Sequence, residues 1–325
     1  MNNIQNSSDD FLIHGPLVSV GIPTYNRPEG LRRTLEYITG QTYKNLEIIV
    51  SDNCSPGLET EAVVKEFITK DSRIQYYRQD ENIGSSSNFK FVLEKAAGEF
   101  FMWAADDDIW EPTFILQLLV LLLQNSDVSV AMSGVKKIDD CGSIVDITRY
   151  KEFLIPDYNQ FRLALFAASH DVITYYMYGL HRTKVMKKFY MNLDNSFGKD
   201  MMVMCELLLS TKFGYFDEIL HVRYVHFKGT AELYADEEIG KSYGDPFNYL
   251  KLLFRFGPFL FLSPNIPEKH KKWIPFMVMR QGIWVGGIYV NMIFNTFLFI
   301  ARKNSHLDKF LTQISKKLKY RKRSE

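Results

Sequence analysis

The chain has 325 residues, of which 46% are hydrophobic and 24% are charged. These proportions are ordinary for a globular protein and exclude a disordered or fibrous chain. Its 39 basic residues almost balance its 38 acidic ones, so the chain has no overall attraction for nucleic acid, which is not expected as a partner.

The three cysteines are far apart and form no CxxC pair. This pattern argues against a disulfide framework and fits a reducing cytosol. Residues 1–15 lack the basic and apolar regions of a signal peptide. We therefore expect a short disordered lead and a cytoplasmic protein.

Residues 16–135 alternate short apolar runs with helical patterns. Strands are predicted at 17–22, 46–51, 73–77, 99–104 and 128–132, and helices at 28–40, 59–69, 86–97 and 112–125. This alternation predicts an α/β fold with crossover helices on the faces of a parallel sheet. The pattern is weaker from 136 to 245, where the clearest helix is predicted at 199–210.

Residues 246–325 are predicted to form a helical extension that is first apolar and then basic. Its segment 282–301 is uncharged and long enough to cross a bilayer, but Asn291 and Asn295 make it a poor span. The basic residues that follow favour an anionic surface. We expect 282–325 to attach the protein peripherally to the inner face of the cell membrane. The alternative is a buried helix followed by a solvated basic tail.

Polar residues follow three of the predicted strands. The first is followed by Pro23-Thr-Tyr-Asn-Arg27, the second by Asp52-Asn53 and the fourth by Asp106-Asp107-Asp108. In a doubly wound sheet, ligands bind outside the carboxyl ends of the strands. The fingerprints GxGxxG and GxxxxGKS/T are both missing, which argues against a dehydrogenase and against an ATPase.

The three adjacent aspartates repel one another unless a cation neutralises them. Carboxylate oxygens suit a hard divalent ion, Mn²⁺ or Mg²⁺, which is usually shared with substrate phosphates. The alternative is a solvated acidic turn before the helix that begins near Pro112.

Four motifs occur in a fixed order. They are VSVGIPTYNR at 18–27, IIVSDN at 48–53, NIG at 82–84 and ADDDIWEP at 105–112. The ordered set resembles glycosyltransferase family 2 over residues 17–135. The resemblance implies a GT-A type doubly wound fold, with a mostly parallel sheet and helices on both faces. It also implies that 16–135 binds a nucleotide sugar, that 136–245 binds the acceptor, and that transfer inverts the anomeric configuration.

The resemblance further implies which residues bind the donor. Asp52 would accept a hydrogen bond from the imide N–H of uracil or thymine, because a carboxylate is an acceptor without a competing donor. This favours a UDP or dTDP sugar. Asp106 would lie near the ribose. The nucleobase pocket and the nucleoside side of the cleft would be lined by Pro23, Thr24, Tyr25, Asn82 and Asn88.

For the metal, the resemblance implies that Asp107 would bind the ion that bridges the two phosphates, with Asp108 able to share that ion. His226 would reach the metal or a phosphate, and Arg223 would pair with a phosphate. Ala105 departs from the family's Asp-x-Asp-Asp pattern, so the division of labour among the three aspartates stays open. The metal would neutralise charge on the departing nucleoside diphosphate.

An inverting transfer also needs a base for the acceptor hydroxyl. The family has an acidic residue for this at the start of a helix after the metal motif. Asp200 fits that place by resemblance, with Lys199 where Glu is common. The alternative is an aspartate that only favours the helix dipole.

These features predict a metal-dependent inverting glycosyltransferase. Its acceptor would be a saccharide or a polyprenyl-linked saccharide, in surface polysaccharide assembly. One alternative is a catalytically degenerate protein that binds a sugar nucleotide or a saccharide, which Ala105 and Lys199 keep open. Another is a nucleotidyltransferase on a similar sheet, for which the first loop lacks the expected glycines and basic residues.

Overall fold

The computed structural model describes residues 10–106, 108–149, 175–191, 193, 198–224, 246–272, 274–275, 277–279 and 282. These residues form a mixed sheet of nine strands with helices packed on it. The strands are β1 Val18–Thr24, β2 Leu46–Asp52, β3 Ile74–Arg78, β4 Phe100–Trp103, β5 Ile109–Trp110, β6 Val128–Ile138, β7 Ile144–Thr148, β8 Leu180–Arg182 and β9 Lys212–Tyr224. The helices are α1 Pro28–Thr39, α2 Glu59–Ile68, α3 Ser85–Lys95, α4 Phe114–Gln124, α5 Thr183–Tyr190, α6 Lys199–Ser210, α7 Pro246–Leu262 and α8 Glu268–Lys271.

The strand order is β3-β2-β1-β4-β8-β6-β9-β5, and β7 pairs with β6. The strands β3, β2, β1 and β4 run parallel to one another. All seven residues of β1 are buried, as expected for a parallel strand covered by helices on both faces. The strand predicted to stop at residue 22 continues to Thr24, because its parallel ladder with β2 pairs Thr24 with Asp52.

The other half of the sheet mixes directions. Strand β8 runs antiparallel to both β4 and β6, whereas β9 runs parallel to β6. Strand β6 is longer than the predicted 128–132, because β7 and β9 pair with its second half. The two residues of β5 pair with β9. No sequence pattern predicted β5, since two residues are too few for any periodicity.

Helix α6 occupies the predicted range 199–210 and is joined firmly to α7. Gly198, which precedes α6, has φ +76°, and a β-carbon there would lie 2.6 Å from Leu252 of α7. At the other end of α6, the buried Glu206 accepts hydrogen bonds from Ser263 and Asn265, just beyond α7. Helix α7 is therefore held at both ends against the helix that carries Asp200.

The N-terminal segment differs from the disordered lead predicted for residues 1–15. Residues 10–14 form a helical turn, in which the Phe11 ring packs on the Tyr43 ring at 5.9 Å. The Leu12 carbonyl accepts a hydrogen bond from the Lys44 N–H. Residues 10–15 thus belong to the folded domain, while 1–9 lie outside the described residues.

Within the described part of the chain, no helix combines the length and the apolar character that crossing a bilayer requires. The predicted membrane-attaching segment 282–325 lies outside that part, apart from residue 282.

Candidate active site

The polar loops that follow β1 and β4 meet at the buried carboxylate of Asp106. Thr24 Oγ1 donates a hydrogen bond of 2.8 Å to Asp106 Oδ2, and Arg27 Nη1 lies 3.2 Å from Asp106 Oδ1. Thr34 Oγ1 of α1 donates to the Ala105 carbonyl at 2.9 Å. Three side chains from β1, its loop and α1 therefore fix the start of the aspartate run.

Helix α1 approaches this loop so closely that only glycine fits at position 30. A β-carbon on Gly30 would lie 2.1 Å from the backbone carbonyl oxygen of Asp106. Real contacts between carbon and oxygen are more than 1 Å longer, about 3.3 Å or above. The aspartate loop thus rests directly on the first turn of α1.

Asp52, at the end of β2, is fully buried and receives hydrogen bonds on both oxygens. Its Oδ1 accepts from the N–H and the hydroxyl of Ser55, and its Oδ2 accepts from Tyr76 at 3.0 Å and from Arg78 at 3.4 Å. Burial, and then the Asp52 carboxylate, raise the pKa of the Tyr76 hydroxyl well above its usual range. A nucleobase that reached Asp52 would have to displace one of these donors, so the imide contact stays a prediction.

The amides predicted to line the cleft tie the strand ends together. The buried Asn88 accepts from Ser51 Oγ at 2.6 Å and donates to the Ser51 carbonyl at 2.9 Å. Its amide nitrogen also lies 3.4 Å from the Thr24 carbonyl. Asn82 Oδ1 accepts from Asn53 Nδ2 at 2.7 Å. Both amides thus position the loops after β1 and β2.

Two residues at this edge have backbone conformations that L-residues rarely adopt. Asn26 has φ +53° and Cys54 has φ +62°, and they are the only non-glycine residues of the described chain with positive φ. The Ser55 hydroxyl, which donates to Asp52, also accepts from the Asn26 N–H at 2.7 Å. Such strain costs about 1–3 kcal/mol per residue and concentrates at functional sites.

Asp108 forms a buried pair with His221 of β9. His221 Nε2 lies 2.9 Å from Asp108 Oδ2, and both side chains are almost fully buried. The His221 ring stacks on Trp110 of β5 at 5.4 Å, and its Nδ1 has no hydrogen-bond partner among the described residues. His221 is not among the site residues predicted from the sequence, and this pair was not predicted.

The metal expected from the three aspartates is consistent with the chemistry of their surroundings. Asp106 and Asp108 offer oxygen donors, which hard divalent cations prefer, and both are oriented by hydrogen bonds, as ligating carboxylates usually are. The described residues contain no group of three or more His, Cys, Asp or Glu side chains that could hold an ion. Asp107 and His226, the other predicted ligands, lie outside the described residues.

The predicted base, Asp200, lies in the first turn of α6. Its Oδ1 accepts from the Met201 N–H at 2.8 Å. Burial, and then the charge of Asp200, raise the pKa of the Tyr190 hydroxyl and of the Cys205 thiol. Lys199 is buried with its Nζ 4.1 Å from the centre of the Tyr190 ring. Lys199 therefore packs in the core, and Asp200 is the acidic residue of this turn.

The remaining predicted residues lie at the strand ends. Pro23 is buried in β1, and Tyr25 is half-buried just beyond it. Arg223 of β9 lies over the Tyr175 and Tyr178 rings at 5.5 and 5.7 Å. Its predicted phosphate contact stays a prediction.

Five residues that build the site had no role predicted from the sequence, namely Arg27, Asn53, Ser55, Tyr76 and His221, although the first two lie in the quoted strand-end motifs. One signal was present for His221, which lies in the run Ile219-Leu-His-Val222. A single polar residue in a buried strand needs a hydrogen-bond partner. Nothing in the sequence indicated that the partner was Asp108.

Comparison with known proteins identifies the class. Residues 19–188 match the sequence profile of the family described as glycosyl transferase family 2. This match covers more than half of the chain, and the chain therefore belongs to that family.

Two curated relatives illustrate the similarity. An uncharacterized glycosyltransferase of Rickettsia felis is 35% identical over 134 residues, which are 40% of this chain and 21% of that protein. The GalNAc(5)-diNAcBac-PP-undecaprenol beta-1,3-glucosyltransferase of Campylobacter jejuni is 39% identical over 94 residues, 29% of this chain and 30% of that protein. The chain thus matches less than a third of the length of either relative.

Solved structures share the fold. TarS 1-349 of S. aureus in complex with UDP-GlcNAc has a TM-score of 0.60 at 18% identity, covering 79% of this chain and 70% of that one. The mannosyltransferase PcManGT from Pyrobaculum calidifontis, in complex with GDP-Man and Mn²⁺, has a TM-score of 0.53 at 13% identity, covering 91% and 83%. At these identities the likeness shows the fold alone, and it confirms the GT-A type α/β sheet expected from the resemblance.

Proposed function

We propose that the chain is a metal-dependent inverting glycosyltransferase. It transfers a sugar from a nucleoside diphosphate, UDP or dTDP by preference, to a saccharide or lipid-linked saccharide acceptor in surface polysaccharide assembly. The observation that carries this proposal is the buried Asp106 carboxylate held by Thr24 and Arg27 at the carboxyl ends of the parallel strands. Family membership supports the same activity, and the named relative from Campylobacter supports a lipid-linked acceptor.

In this proposal the donor lies across the ends of β1, β2 and β4. Pro23, Thr24 and Tyr25 line the nucleobase pocket, and Asp52 receives the imide N–H. Asn82 and Asn88 form the nucleoside side of the cleft, and their hydrogen bonds with Asn53 and Ser51 hold the loops there. Asp106 lies beside the ribose, with Arg27 at its Oδ1 atom.

The transfer itself displaces a diphosphate. The acceptor hydroxyl oxygen attacks the anomeric carbon, its proton passes to Asp200, and the bond from that carbon to the diphosphate breaks with its electron pair leaving on the phosphate oxygen. Asp107, Asp108 and His226 would hold Mn²⁺ or Mg²⁺, which supplies charge neutralisation to the leaving group. Arg223 would contribute a second positive charge toward the phosphates.

The proposal also divides the chain. Residues 16–135 bind the nucleotide sugar, 136–245 bind the acceptor, and the extension 246–325 attaches the protein peripherally to the cytoplasmic face of the membrane through 282–325. A lipid-linked acceptor would make such attachment useful, because the enzyme and the carrier would then share one surface.

Calorimetric titration tests the donor site directly. UDP, dTDP, GDP and CDP are titrated into the protein with Mn²⁺ and with EDTA, and the series is repeated on Asp107→Ala. We expect metal-dependent binding of UDP or dTDP that is lost in Asp107→Ala and kept in Asp127→Ala. Asp127 is a suitable control because its side chain is 58% exposed and pairs only with Lys212 among the described residues. Binding that ignores both the metal and Asp107 would contradict the proposal.

A further inference from the structure

Helix α7 exposes apolar side chains on its outer face. The exposed positions recur every three or four residues and so form one stripe along the helix. They are Lys251, Phe254, Arg255, Pro258, Phe261 and Leu262. The three large apolar members are 75%, 47% and 82% exposed in chain order. A surface helix of a globular protein normally presents polar side chains on this face.

The opposite face of α7 is well packed, so the outer stripe is not needed to hold the helix in place. Leu252, Phe256 and Leu260 are buried along the inner side. Leu252 covers Gly198 at the start of α6, and a β-carbon on Gly257 would meet Val278 at 3.1 Å. The stripe therefore lies on a helix whose opposite face is already packed against the rest of the protein.

The charges of the stripe indicate what would cover it. Helix α7 contains no acidic residue, and its two cations, Lys251 and Arg255, both lie in the stripe. A second copy of the chain would bring the same positive charges opposite these, which opposes a symmetric dimer. Apolar rings combined with cations suit an anionic lipid surface.

We propose that the outer face of α7 docks on the surface of a bilayer that contains anionic phospholipid. Phe254, Phe261 and Leu262 enter the boundary between headgroups and acyl chains, while Lys251 and Arg255 meet the lipid phosphates. This surface is separate from the segment 282–325. The value of this docking for catalysis rests on the proposed function. Helix α7 contacts the turn that carries Asp200, so docking would bring the acceptor side of the site to the membrane.

Flotation of the full chain with vesicles tests the surface. The vesicles contain about 30% phosphatidylglycerol in phosphatidylcholine, with pure phosphatidylcholine as the neutral comparison. We expect the double variant Phe254→Ser, Leu262→Ser to lower the partition coefficient about tenfold or more. The matched control, Leu58→Ser with Ile144→Ser, removes two apolar side chains that are 70% and 61% exposed elsewhere, and it should leave partitioning unchanged.

The charged part of the stripe has its own variant. Lys251→Ser with Arg255→Ser should lower partitioning onto the phosphatidylglycerol vesicles about tenfold, and added salt should narrow the difference from the wild type. Arg321→Ser with Arg323→Ser, in the basic tail, removes the same number of cations outside α7. Partitioning that falls only in this tail variant would overturn the proposal.

Three further results would overturn it. The first is equal flotation of the wild type and the Phe254, Leu262 variant. The second is equal binding to neutral and anionic vesicles. The third is a wild-type protein that is dimeric by light scattering and binds no vesicles, while the variant is monomeric.

UDP titration of the same samples without vesicles distinguishes failure of this proposal from failure of the proposed function. If the wild type does not bind UDP, the proposed donor site is contradicted, whereas the conclusion from flotation is unaffected.

Discussion

The backbone carbonyl oxygen of Asp106 lies where a side chain on Gly30 would begin, 2.1 Å from the position of its β-carbon. Gly30→Ala should therefore push the aspartate loop away from α1 and disturb the contacts of Asp106 with Thr24 and Arg27. We expect UDP affinity to fall at least tenfold and the free energy of unfolding to fall by about 1–3 kcal/mol. The loss would occur although alanine favours a helix over glycine by about 1 kcal/mol. Calorimetry and urea unfolding measure the two effects.

Gly40→Ala is the matched control, because Gly40 caps the same helix with a negative φ of −77°. A β-carbon there would lie 3.0 Å from the Glu36 carbonyl oxygen and 3.7 Å from the Tyr37 carbonyl oxygen, both of the same helix. Equal UDP affinity of the two variants would show that the position of the Asp106 loop does not matter for binding.

The Asp108–His221 pair predicts a contrast between two substitutions. His221→Phe keeps an aromatic ring against Trp110 but leaves the buried Asp108 carboxylate without this partner. The free energy of unfolding should fall by about 2–3 kcal/mol, the cost of an unsatisfied buried polar group. His221→Gln retains an N–H donor and should recover part of that loss. Identical urea midpoints for the two variants would mean that the hydrogen bond contributes nothing.

The sequence was informative for features that depend on residues close together in the chain, such as the strands and the polar residues at their ends. The runs that became β1 and β2 are mostly apolar, and the polar residues at their carboxyl ends had to share one edge of a parallel sheet. Hence Thr24, Asp52 and Asp106 were correctly expected at the strand ends. Their detailed contacts were not predictable from the sequence. The Ser55 hydroxyl contacts both Asp52 and Asn26, and this arrangement depends on the positive φ angles of Asn26 and Cys54 in two separate loops.

Longer-range features had no signal of their own. Asp108 and His221 are 113 positions apart, and the strand β5 that aligns them has two residues. The outer face of α7 posed a similar problem. Its sequence is apolar almost throughout, so the packing of α7 on the rest of the protein decides that Phe256 is buried and Phe254 exposed.

Asp52 either recognises the base or only braces the loops, and nucleotide preference separates these roles. In Asp52→Asn, the new amide can donate a hydrogen bond, which suits N3 of cytosine and opposes the imide N–H of uracil. We expect the ratio of the CDP to the UDP dissociation constant to fall at least tenfold. Tyr76→Phe, which removes one donor to Asp52, should keep the preference for UDP. Equal weakening of both nucleotides in Asp52→Asn would leave Asp52 with a purely structural role.

His181 predicts how stability depends on pH. Burial lowers the pKa of this histidine from 6.5 to about 4, and its Nε2 lies 3.0 Å from the Met177 carbonyl. The unfolded chain takes up the proton below pH 6.5 and the folded chain does not. The free energy of unfolding should therefore fall as the pH is lowered from 6.5 toward 4, by up to about 1.4 kcal/mol per pH unit.

His181→Gln keeps an N–H donor but cannot titrate. Urea unfolding at several pH values should give this variant a shallower slope than the wild type between pH 6.5 and 4, with the two slopes equal above pH 7.5 or so. Parallel curves over the acidic range would mean that His181 is protonated in the folded protein as readily as in the unfolded one.

Asp200→Asn tests the assignment of the base. The amide keeps the size of the side chain but cannot take the acceptor proton, so kcat should fall by a factor of about 10²–10⁴ while UDP affinity stays unchanged. Asp127→Asn, on an exposed side chain, should alter neither quantity. If Asp200→Asn retains turnover, another group accepts the proton, and the aspartate serves only the first turn of α6. If nucleotide binds but the wild type itself shows no turnover with any saccharide acceptor, the chain is a binding protein, and the buried Lys199 beside Asp200 becomes the feature to explain.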